Sequence, residues 1–135
     1  MNYSLTKQSK KLNEDILQAE IFKWYFNNFC TKQNDVPHLI FSVPNGGLRT
    51  KSEAMKLKAT GLVAGVSDLI IVQPNRTIFC ELKILKGKQS PQQIDFQTKV
   101  ENLGFEYWLV RSLDEFKLCL QATKGIIYPI ENNIK

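Results

Sequence analysis

Apolar and polar positions alternate along this chain in two rhythms, one helical and one extended. Ile16, Leu17 and Trp24 recur at helical spacing, which predicts a helix from Asn13 to about Phe29. Asn13 would cap it, and Glu14 and Asp15 would sit in the first turn, where the helix dipole favours negative charge. The polar residues up to about Lys11 are expected to fray. His38 to Val43 reads as a strand, and a short helix is expected around residues 52–59. Leu69-Ile70-Ile71-Val72 is apolar at every position, which suits a strand covered on both faces. Pro74-Asn75 then turns the chain, and Thr77 to Lys83, rich in β-branched and aromatic residues, forms the next strand. Ser90, Pro91 and Gln93 spell a capping box with proline at the first helical position; Phe96, Val100 and Leu103 of that helix would face the core, and Gly104 would end it. Phe105 to Val110 is a further strand. Ser112 and Glu115 form a second capping box, opening a helix to about Thr123 that Lys124 and Gly125 close. The order is helix, strand, short helix, strand, strand, helix, strand, helix, which predicts an α/β sandwich with a mixed central β-sheet flanked by helices.

The same alternation places the chemistry. Along residues 77–83, Ile78, Cys80 and Leu82 share one face, while Phe79, Glu81 and Lys83 share the other. If the runs on either side of Pro74-Asn75 pair, Asp68, at the mouth of its strand, comes close to Glu81. Two carboxylates and a lysine then meet at a sheet end, and such hard oxygen ligands suit magnesium or manganese. The ordinary reading is an exposed strand face, and an isolated Glu-x-Lys is more often that. Glu20 lies beside or within the apolar stripe of its helix, where it either snorkels to solvent or serves a site. The turn Pro44-Asn45-Gly46-Gly47, followed by Arg49, Lys51, Lys56 and Lys58, can bring backbone amides and positive charge to a phosphate, and equally suits a surface loop. Lys86-Gly87-Lys88-Gln89 is a second basic loop. Asn45, Arg49, Lys51, Lys86 and Lys88 are the candidate nucleic-acid contacts. Gln93 is explained by its capping role, with Gln97 one turn on. Gly61 and Gly65 bracket three apolar residues, so that approach to the Asp68 strand is expected to pack down.

Composition changes this picture little. A length of 135 residues is that of a single domain, and a formal charge of +5, with a pI of about 9.1, leans toward a polyanionic partner. Cys30, Cys80 and Cys119 are widely spaced in apolar segments and read as reduced core residues. His38 is the only histidine, so catalysis would rest on carboxylates, lysine and a metal. No run approaches a membrane span, and the polar start lacks the apolar core of a signal peptide, so a cytoplasmic protein is expected.

Pro44-Asn45-Gly46-Gly47-x-Arg49, then Gly61-x-x-x-Gly65-x-x-Asp68-Leu69, Glu81-x-Lys83, Ser90-Pro91-x-Gln93 and Gly104 to Val110-Arg111 together resemble the VRR-NUC family of the PD-(D/E)XK nuclease superfamily, over roughly residues 20–120. Ser67 stands where the motif has proline, and the eponymous triplet reads Val110-Arg111-Ser112. The resemblance implies a restriction-endonuclease-like α/β sandwich over residues 13–124, between a flexible segment (1–12) and a tail (125–135). It implies a Mg2+-dependent nuclease, with Mn2+ substituting and no organic cofactor, that hydrolyses DNA phosphodiester bonds. Asp68, Glu81 and the Leu82 carbonyl would hold the metal, with Glu20 completing the site through a bound water, and Lys83 and Gln93 would join Glu20, Asp68 and Glu81 in catalysis. Stand-alone members resemble homodimeric junction-resolving enzymes, so a four-way junction and a role in DNA repair are implied. The alternative is a nucleic-acid-binding module on a nuclease fold that does not cut.

Overall fold

The computed structural model describes residues 7–44 and 49–126. Its elements are α1 (Lys7–Phe29), β1 (Leu39–Ser42), α2 (Lys51–Ala59), β2 (Leu69–Gln73), β3 (Arg76–Leu82), α3 (Pro91–Asn102), β4 (Glu106–Val110) and α4 (Leu113–Ile126). Their order is the one the sequence predicts. The four strands form one sheet in the order β1-β2-β3-β4. β1 and β3 run antiparallel to β2, and β4 pairs parallel to β3 after the α3 crossover. A parallel neighbour needs such a crossover because a tight turn reverses the strand. Between β2 and β3 the connection is the two-residue turn Pro74-Asn75, where proline presets one backbone angle and Asn75 takes a positive φ of 58°, a conformation asparagine tolerates.

Strand alternation then sorts the side chains. Ile40, Leu69, Ile71, Ile78, Cys80, Leu82, Trp108 and Val110 form one face, and onto it pack Leu17, Ile21 and Tyr25 of α1 and Phe116 of α4. Phe116 is completely buried; its ring meets Trp24, Tyr25 and Trp108 edge to face, with centroids 6.2, 6.0 and 5.6 Å away. On the opposite face α3 covers β3 and β4, setting Phe96 against Phe79 and Tyr107. It does not reach β1 and β2, where Leu39 and Phe41 are exposed and Ile70 and Val72 are half-buried. Among the described residues, the all-apolar run 69–72 is therefore packed against helices on one face only.

Four local expectations are corrected. α1 starts at Lys7, so Asn13 is no cap: Lys, Gln and Leu are good helix formers, and Lys11 pairs with Asp15 one turn on, at 3.1 Å. Leu103 does not face the core; it caps the end of α3 and is 74% exposed. At α4 the Ser112 hydroxyl accepts from the Glu115 amide, but the Glu115 carboxylate takes the Arg111 N–H at 2.7 Å instead of closing the box on Ser112. Between Gly61 and Gly65, only Leu62 is half-buried, and Val63 and Ala64 are exposed. The capping box of Ser90 and Gln93 forms in full. Cys30, Cys80 and Cys119 are all free thiols, and burial raises the pKa of each.

Phe116→Ala is expected to cost about 3–5 kcal/mol, a large part of the roughly 5–15 kcal/mol that holds a domain together. Leu103→Ser should stay within about 0.5 kcal/mol, as surface changes do. Urea unfolding of the two variants beside the parent checks both.

Candidate active site

The β2–β3 ladder pairs Leu69 with Cys80, so one further step sets Asp68 opposite Glu81 on the face that α3 covers. The structure brings them together. Asp68 Oδ2 accepts the Leu82 N–H at 2.8 Å, which ties the mouth of β2 to the end of β3. Glu81 is only 2% exposed. Its Oε2 accepts a hydrogen bond from Gln93 Nε2 at 3.0 Å and faces Lys83 Nζ at 3.4 Å, while Oε1 is buried with no partner. Burial first, and then the negative charge of Asp68, push the Glu81 carboxyl up to about 8, against a smaller downward pull from Lys83.

Gln93 has two roles at once. Its Oε1 accepts the Ser90 N–H at 2.8 Å and completes the capping box, while its amide nitrogen holds Glu81. The position of α3 therefore decides where Glu81 is held. Gly65 sets that position: its φ is +82°, and a Cβ there would stand 2.3 Å from the Gln92 carbonyl oxygen. Only glycine lets the backbone before β2 approach the first turn of α3 so closely. Beside this pair lies a polar chain that sequence reasoning missed. Gln89 Nε2 donates to Gln97 Oε1 at 2.9 Å and to the Tyr107 hydroxyl at 3.1 Å. Burial chiefly, with the Glu81 charge next, raises the pKa of Tyr107. Only alternation along β4, which sets Tyr107 on the Phe79 face, could have signalled it.

Other candidates lie apart. Glu20 is exposed on α1 and does not join Asp68 and Glu81: among the described residues, no group of three or more His, Cys, Asp or Glu side chains is placed to share a metal ion. Lys11, hydrogen-bonded to Asp15, has its pKa raised by that bond first, with Asp68 and Glu14 also contributing. Lys51, Lys86 and Lys88 are exposed, and Arg49 is half-buried. Asn45 lies outside the described residues, as do Gly46 and Gly47.

The donor set suits a hard divalent cation. Magnesium is commonly bound through one or two carboxylates plus substrate oxygens and water, and here two carboxylates adjoin with one buried oxygen unsatisfied. A cation would relieve the repulsion that raises the Glu81 carboxyl.

Gly65→Ala is expected to force the first turn of α3 away from β2. The cost should exceed about 1 kcal/mol, since the new Cβ meets backbone in a strained conformation. Hydrogen exchange at the amides of Gln93 and Ile94 should quicken, and unchanged exchange there would show that Gly65 does not seat α3.

No family model and no curated protein matches the sequence. Among solved structures, the chain is similar to a VRR_NUC domain protein, with a TM-score of 0.62 and 21% sequence identity over 90% of this chain and 89% of that one. The likeness is one of fold: a mixed four-stranded sheet between helices.

Proposed function

We propose that this chain is a metal-dependent DNA endonuclease that hydrolyses phosphodiester bonds. The observation that carries the reading is Glu81, a buried carboxylate with one oxygen unsatisfied, set at a sheet end beside Asp68, Lys83 and Gln93. The nuclease-like fold of its structural neighbour supports it.

In this reading Asp68 and Glu81 hold Mg2+ or Mn2+, joined by the Leu82 carbonyl, which leaves the strand on the same edge as the N–H that Asp68 binds. A divalent ion bound there supplies a bound water of lowered pKa and neutralises charge on the phosphoryl oxygens. Gln93 holds the Glu81 carboxylate in place through its amide nitrogen. Lys83 shares the Glu81 face and is positioned to orient the attacking water or to stabilise charge on the phosphate. Arg49, Lys51, Lys86 and Lys88 contribute phosphate contacts that position DNA without reading its sequence. Glu20, exposed on α1, takes part through a bound water and not as a direct ligand. The substrate we favour is a four-way junction bound by a homodimer, as the resemblance to stand-alone VRR-NUC proteins implies.

One observation favours a second reading, a nucleic-acid-binding module that does not cut: no third carboxylate joins Asp68 and Glu81 among the described residues. Incubation with labelled duplex, flap and four-way-junction DNA, with and without Mg2+ or Mn2+, separates the two. Metal-dependent cleavage supports the nuclease, and binding without cleavage supports the module.

Glu81→Ala is expected to abolish cleavage and the thermal stabilisation that Mg2+ gives the parent, while DNA affinity is largely kept. Cleavage at the parent's rate would place the chemistry elsewhere. Lys83→Ala should bind DNA nearly as well as the parent yet cut at least about a hundredfold more slowly, the lower end of a positioned acid-base contribution. Lys83→Arg should not rescue it, because the planar guanidinium places its donors differently. Loss of affinity in step with activity would reduce Lys83 to a phosphate contact.

A further inference from the structure

Beyond Lys83 the chain leaves β3 in a loop that is built with unusual care for a surface turn. The Lys83 N–H is still held by the Val110 carbonyl at 3.1 Å, and the Gly87 N–H closes a turn on the Ile84 carbonyl at 2.9 Å. Arg111 then clamps the loop from outside β4, its Nη1 donating to the Leu85 carbonyl at 2.8 Å and to the Gly87 carbonyl at 2.9 Å. Arg111 is itself anchored through its own N–H on Glu115. The loop lies along the Lys83 stem: a Cβ at Gly87 would meet Lys83 Cδ at 3.7 Å.

At the tip of this clamped loop stands Leu85. Its φ is +50°, a left-handed conformation that is costly for a branched side chain. Its side chain gains no burial in return, being 69% exposed. A leucine that is strained, rigidly held and left in water is poorly explained by folding, since glycine or asparagine would serve the turn better. Its neighbourhood points to a partner. Lys86 and Lys88 flank it, both exposed, and Lys83 is two residues back, so its Cα is within about 7 Å. An apolar tip among cations matches the wedges with which proteins part adjacent base steps while lysines hold the phosphates.

We propose that Leu85 is such a wedge: it enters between bases beside the phosphate presented to Glu81 and Lys83, and so favours DNA whose stacking is already broken, as at a branch point, over continuous duplex. This rests on the nuclease reading and adds to it the residue that senses the DNA's shape. Arg111 fixes the loop that carries it, through the Leu85 and Gly87 carbonyls.

The test uses the whole chain in EDTA, with duplex and four-way-junction DNA carrying 2-aminopurine next to the branch point or at the central step. The parent should bind both and raise the fluorescence of the junction several-fold as the base unstacks. Leu85→Gly and Leu85→Asn, which suit a positive φ and so spare the fold, should lower junction affinity about tenfold, leave duplex affinity within about twofold, and lose the fluorescence rise. Leu85→Met should keep it. If the glycine and asparagine variants unstack the base as the parent does, or if the parent binds without unstacking, the wedge is overturned and the nuclease reading stands. If the parent binds no DNA, both fail together.

Discussion

Burial of the Glu81 carboxylate is the constraint around which this small domain is arranged. Withdrawing an ionised carboxylate from water is costly unless its oxygens find partners, and the chain provides two: Lys83 from just past β3 and Gln93 from the first turn of α3. Asp68, at the mouth of β2, adds repulsion instead. The compensation is incomplete, as the unsatisfied Oε1 and the raised Glu81 carboxyl record. A core built for stability alone would place an aliphatic side chain there.

The topology follows from the same need. An antiparallel β2–β3 hairpin brings Asp68 opposite Glu81, and the parallel β4 forces a crossover that carries the N-terminus of α3 over that end of the sheet. One helix start thereby satisfies its own orphan amides through the Ser90 and Gln93 box and supplies the donor that holds Glu81. At the other end of the same two strands, Arg76 pairs with Glu106 and tightens the β3–β4 junction far from the chemistry. The aromatic packing of Trp24, Tyr25, Trp108 and Phe116 lies on the opposite face, so core and site share strands while separating their side chains by the pleat.

Charge is distributed to match. The site is acidic at its centre and basic around its rim, where Lys86 and Lys88 follow Lys83 and where Lys11, at the start of α1, feels the charge of Asp68.

Local chemistry was legible in the sequence wherever one residue type had one physical use. The turn at Pro74-Asn75, the capping box from Ser90 to Gln93, and the strand alternation that sets Glu81 and Lys83 against Ile78, Cys80 and Leu82 all follow from backbone preferences acting over a few residues. So did the element order, and with it the meeting of Asp68 and Glu81. What the tertiary structure decided were matters of distance between segments remote in sequence. Glu20 borders an apolar stripe, which leaves open whether it faces solvent or a site; the rotation of α1 on the sheet, set by Leu17, Ile21 and Tyr25, leaves it exposed. In the sequence Gly65 only brackets the approach to the Asp68 strand, yet its role is set by Gln92, which crowds the space a side chain would need. Gln93 is fully explained by capping until α3 is laid over β3, and only then does its second hydrogen bond exist. Periodicity reports which face of an element is apolar; the partner that face meets, and the angle at which they meet, depend on packing the whole chain at once.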